Sequence, residues 1–268
     1  MGDKDFKEKR IILNQKKKLM KREDKLLNKK ENVYIKNKIS PIKEKLEEKI
    51  PAKMIDTFQK AFEKGFYYLF QKGTIIIEKS YNPEKLKNEA DINEYILSKQ
   101  INNRNLNRID KKVKTGVLLN KGITTAEGIG LGVLGIGLPD IPVFIGIILK
   151  TIYEICLNYG FKYDSEEEKA FVLNIICTSA NKSEERIIYS NETDRIGYSI
   201  DNNLNYNVDI NKMINVTSRI LSENIILSKV IQGVPIIGAY GGISNYILIR
   251  DISEIASIKY KKRFLSKL

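Results

Sequence analysis

GIGLGVLGIGLPDIPVFIGIIL, residues 128–149, holds a single ionisable side chain, Asp140, and decides how the rest of the chain is read. A helix of this length crosses a hydrocarbon core of about 30 Å, but Pro139 and Pro142 interrupt it near its middle. The only comparable stretch, residues 225–249, carries Lys229 alone and is broken by Pro235. Glycines one turn apart, Gly128 with Gly132 and Gly238 with Gly242, let two backbones approach closely. Such segments suit either the interior of a helical bundle or a hairpin inserted in lipid.

The run Gly130-Leu131-Gly132-Val133-Leu134-Gly135 matches GxGxxG literally, with Glu154 at the distance of a ribose-binding acid. A dinucleotide site needs a preceding strand and an uninterrupted helix after it. Prolines stand where that helix would run and no second βαβ pattern follows, so a cofactor is not expected. Asp140, beside the two prolines, is read as the cap of a helix start, accepting amides left free there.

Around these segments the periodicity is that of helices. Met54, Phe58, Phe62, Phe66, Leu69 and Phe70 trace one face, and Ile210, Met213, Ile214, Thr217, Ile220 and Leu221 another. Ser165 with Glu168 forms a capping-box pattern ahead of Phe171, Val172, Ile175 and Ile176. Tyr81-Asn82-Pro83 marks a turn, and surface helices are expected from there to Lys121. The polar run Asn181 to Asn207 reads as a loop with short helices. A last helix, roughly Tyr246 to Leu265, ends in Lys259, Lys261, Lys262 and Arg263, where cations suit the helix dipole. The fold class predicted is mainly α: a compact helical bundle with two Gly-rich apolar hairpins or broken helices and a basic N-terminal helix.

Residues 1–50 hold seventeen Lys or Arg against nine Asp or Glu, so eight of the thirteen net positive charges lie there. Ile12, Leu19, Leu26 and Val33 recur every seven residues, as do Leu13, Met20, Leu27 and Tyr34, drawing a narrow apolar line on a lysine-rich helix. The positions three and four further on, such as Gln15, Lys16 and Glu23, are polar, which argues against a coiled coil. A solvated basic arm and a surface-seeking amphipathic helix are the two readings. Domains are accordingly assigned as 1–44, a Lys-rich arm or helix, and 45–268, a helical domain.

Histidine and tryptophan are absent. Catalysis by imidazole, classical triads and most zinc sites are thereby excluded. Cys156 and Cys177 stand apart in apolar surroundings and read as buried thiols. The N-terminus has no apolar signal region, so the cytoplasm is the expected compartment.

Residues Thr125-Ala126-Glu127-Gly128 through Gly137-Leu138-Pro139-Asp140-Ile141-Pro142, then Tyr159-Gly160-Phe161, Val234-Pro235-Ile236-Ile237-Gly238-Ala239, Asn245, and Ala256 to Tyr260 with Arg263 occur in an order that resembles the EcsC family of bacterial proteins. The resemblance covers residues 45 to 268. It implies a helical, membrane-associated protein facing the cytoplasm, named for a gene beside an ABC transporter. No catalytic, cofactor or metal residue carries over. The motif residues are Glu127, Gly128, Gly132, Gly137, Pro139, Asp140, Pro142, Tyr159, Gly160, Pro235, Gly238, Asn245, Tyr260 and Arg263, for structure or binding.

Three functions follow as expectations. The first is a non-enzymatic protein at the inner face of the cell membrane, drawn to anionic headgroups by lysines and acting with a protein partner in a transport- or envelope-related process. The second is a soluble enzyme whose Glu127 and Asp140 carboxylates face the basic C-terminal helix near Arg263. The third is a nucleic-acid-binding protein using the basic arm, which has only Phe6 and Tyr34 for stacking.

Overall fold

A computed structural model describes residues 3–28, 50–114, 140–232 and 241–268. It is helical throughout, with no strand among the described residues. The elements are α1 (Asp3–Leu27), α2 (Ala52–Tyr68), a π-helical turn (Leu69–Gly73), α3 (Thr74–Glu78), α4 (Pro83–Lys99) and α5 (103–114). They continue with α6 (Ile141–Asn158), α7 (Glu166–Ala180), α8 (Ser183–Asp201), α9 (Ile210–Gln232) and α10 (Gly241–Lys267).

In the apolar stretch 128–149 the described residues begin at Asp140. They form the start of α6, whose Ile145, Ile148, Leu149 and Ile152 have no exposed surface. This helix is long and apolar enough to cross a membrane, yet 67% of it is buried inside the bundle. It is the core helix, and α2 covers one side. Phe62 meets Phe144 edge to face at 6.5 Å, and Gly65 brings the two helices together: a Cβ there would lie 2.5 Å from Cδ1 of Ile145.

Local chemistry sets the helix ends. Asn82 caps α4 by accepting from the Lys85 amide at 2.9 Å, with Pro83 at the first helical position. Ser165 caps α7 through the Glu168 amide at 3.2 Å. Tyr159-Gly160-Phe161 closes α6 as a Schellman turn. Gly160 takes φ +76°, its amide donates to Leu157 O at 2.9 Å, and the Phe161 amide donates to Cys156 O at 3.1 Å.

Asp140 does occupy the cap position of α6, but its side chain makes no capping bond. The second helical residue is Pro142, which has no amide to donate, and Asp140 itself sits in helical backbone instead of the extended conformation that caps adopt. The polar run 181–207, expected to be a loop with short helices, carries one continuous helix, α8 (Ser183–Asp201). Its Arg186, Ser190, Thr193 and Gly197 face inward, so a buried polar stripe replaced the apolar periodicity that marks most helices.

The C-terminal ends of α6 and α10 meet, Tyr159 against Phe264 at 5.7 Å and Phe161 against Tyr260 at 5.6 Å. Since α10 stops at Lys267, α6 packs along it only by running in the same direction. Asp140 and Gly241 therefore point to the same end of the bundle.

Candidate functional site: a buried cationic seam

The basic cluster at the end of α10 is the most chemically loaded part of the described structure. A helix presents residues 259, 262 and 263 to neighbours on one side and 261 to another. Here all four cations meet acids. Lys259, with its side chain fully buried, donates to Oε1 of Glu23 at 2.5 Å and to Ser190 O and Oγ at 2.9 and 2.7 Å. It also pairs with Asp194 at 2.9 Å. Lys262 bridges the other oxygens of the same two carboxylates, Glu23 at 3.2 Å and Asp194 at 2.5 Å. Lys261 turns toward α5 and α1, reaching Asp110 at 2.6 Å and Gln15 at 3.1 Å. Tyr159, at the end of α6, donates to the same Asp110 at 3.1 Å.

Arg263 is the centre. Its guanidinium holds Glu168 with two bonds, 2.9 and 2.6 Å, and Asp201 with two more, 3.0 and 2.9 Å. Phe161 and Phe171 flank it at 4.3 and 4.6 Å from the ring centres. Planar, delocalised and weakly hydrated, arginine suits this enclosed double fork where lysine would not. Gly197 makes room: a Cβ there would stand 2.8 Å from Phe171 and 3.0 Å from Cδ of Arg263.

Electrostatics follow from burial. For Glu23, burial would raise the carboxyl, but Lys259 and Lys262 outweigh it and hold it below the ordinary carboxylate range. Burial also works against the charge on Arg263, and the hydrogen bonds it donates to Glu168 and Asp201 overcome it, so the guanidinium is held more firmly protonated. Glu168 is pushed up by burial, with Arg263 pulling against it. Nearby, burial raises both the Cys156 thiol and the Tyr260 hydroxyl, which are enclosed side by side. Burial pushes Cys177 up to about 12. Both cysteines are free, buried and kept as thiols.

Such an arrangement clamps. Acids from α1, α5, α7 and α8 close on cations from α10, and each carboxylate named is engaged by a cation. Glu168 illustrates why the seam escapes sequence reading. Its amide makes the expected cap, but its carboxylate goes to Arg263, 95 positions away. Glu23 and Gln15, polar residues that interrupt the apolar line of α1, are the ones that receive Lys259, Lys262 and Lys261. Lys259 and Lys261 near the end of α10 are thus consumed internally, and Lys262 is held between two carboxylates.

Among the motif residues, Tyr159, Gly160, Tyr260 and Arg263 gather around this seam and the end of α6. Asp140 and Pro142 lie at the opposite end of α6, and Arg263 finds Glu168 and Asp201 instead of Asp140. Asn245 lies in the first turns of α10. Glu127, Gly128, Gly132, Gly137, Pro139, Pro235 and Gly238 lie outside the described residues.

Fold and seam together define a class: an all-helical bundle around an apolar central helix, locked by buried ion pairs on its last helix. The model of the EcsC protein family matches residues 13–265, and the chain belongs to that family. The match begins inside α1, the helix that supplies Glu23 to the seam. Protein EcsC of Bacillus subtilis (strain 168) is 25% identical over 170 residues, covering 60% of this chain and 66% of that protein. The uncharacterized protein YdbA of the same strain is 28% identical over 163 residues, 57% of this chain and 54% of that protein. The chain thus spans less than two thirds of the length of either relative. No solved structure matches.

Proposed function

We propose that this protein associates with the inner, anionic face of a bacterial cell membrane, without catalysing a reaction, and serves there in a transport- or envelope-related process alongside a protein partner. The observation that carries this reading is topological. The first described residues of α6 and α10, Asp140 and Gly241, stand at one end of the bundle because the two helices run parallel. Exposed apolar side chains stand at that end, Val143 at 54% and Ile247 at 38%. With α6 occupied as the core, contact is shallow or peripheral, and burial of apolar surface there adds to the attraction of lysines for acidic lipid.

Fractionation of cells expressing the full chain tests it. Recovery with membranes, release by carbonate and flotation with acidic vesicles at low salt are expected. A protein found wholly in the soluble fraction that ignores acidic vesicles at low salt sinks the proposal.

A further inference from the structure

The geometry points to the outward face of α1 as the surface that lies on anionic phospholipid, an inference that rests on the membrane reading above and names the contact. The inward face of this helix is spent: Gln15, Leu19, Glu23 and Leu26 are buried against the bundle. On the far side Phe6, Leu13 and Met20 are 70%, 53% and 61% exposed. Seven residues carry a helix through nearly two full turns with a drift of about 20°, so these three form one line. Lys9 and Lys16 run along one flank, and Arg10, Lys17 and Lys21 along the other. Asp24 ends the line and accepts a bond from Asn28 at 2.7 Å.

An apolar line with cations on both sides fits the boundary between headgroups and acyl chains, where the three side chains enter the apolar layer and the lysines remain among phosphates. A second copy of α1 is disfavoured because like charges would face each other. Nucleic acid would use the cations but would leave Phe6, Leu13 and Met20 against a charged backbone. The last turn of α1 is tied to the bundle through Arg186, which donates to Leu26 O and pairs with Asp251 of α10.

The chain has no tryptophan, so Leu13→Trp in the full protein gives one fluorescent reporter. Thermal unfolding checks that the variant keeps its fold. With vesicles of phosphatidylcholine containing about one third phosphatidylglycerol, the emission should shift to the blue, and vesicles of phosphatidylcholine alone should leave it unchanged. Replacing Lys17 and Lys21 together by Glu should weaken partitioning about tenfold or more. Flotation with acidic vesicles but unshifted emission would overturn α1 as the contact while leaving the membrane reading intact. Failure to float at all would remove both. A shift driven by duplex DNA and not by vesicles would overturn the inference in favour of nucleic acid.

Discussion

Helices α1 and α10, at the two ends of the chain, are both lysine-rich, and they use their cations in opposite ways. On α10, Lys259, Lys261, Lys262 and Arg263 are turned into the protein and matched to acids, with the Lys259 side chain fully buried. On α1, Lys17, Lys18 and Lys21 stand in solvent, while the acid Glu23 is the residue turned inward. A net charge of +13 counts the two sets alike. The difference teaches that charge describes a partner only after the internal pairs have been subtracted. Among the described residues, Lys17, Lys18 and Lys21 of α1 stay on the solvent side of that subtraction.

Breaking the α10 side of this contrast should have the largest effect. Arg263→Met leaves Glu168 and Asp201 enclosed without their cation and should cost about 3–5 kcal/mol in chemical denaturation. Glu168→Gln added to it should recover part of that loss, since the two residues are coupled. A single variant as stable as the parent would show that the fork contributes nothing.

Lys259→Met comes next, at about 3 kcal/mol, because Glu23 would lose its closest cation. The same pair predicts a pH dependence whose sign is fixed by the depressed carboxyl of Glu23. Its stabilisation is present above the ordinary carboxylate pKa of about 4.3. It fades as pH falls through the lower folded value. The advantage of the parent over Glu23→Gln, measured by unfolding from pH 7 to pH 3, should therefore shrink in acid. A constant difference would mean that the charge of Glu23 is not what matters.

The smallest effect belongs to α1. Lys17→Ala should change the unfolding free energy by no more than about 0.5 kcal/mol. A loss equal to that of Lys259→Met would erase the distinction between the two helices.

Much of the fold was legible in local patterns. The aromatic face of α2, the periodicity of α9, the turn at Asn82-Pro83 and the cap at Ser165 each depend on residues a few positions apart, where backbone hydrogen bonding and helix pitch act. Tyr159-Gly160-Phe161 was recognised only as a family motif, although the turn it forms is equally local: the left-handed conformation at Gly160 lets two amides return to the last turn of α6. By contrast the continuity of α8 was hidden because its inward face is polar, and the cap expected at Asp140 failed because that residue sits in helical backbone ahead of a proline without an amide.

The sequence by itself determined that this is a helical protein, where several of its helices start, which family it resembles, and that imidazole chemistry is excluded. Tertiary structure alone decided which charges are spent. Lys259 and Glu23 are 236 positions apart, and Arg263 and Glu168 are 95 apart. No periodicity spans such distances. An ion pair of this kind forms only when packing of the apolar faces has already brought the helices together and excluded water, so its partners are chosen by the fold and not by their neighbours in the chain.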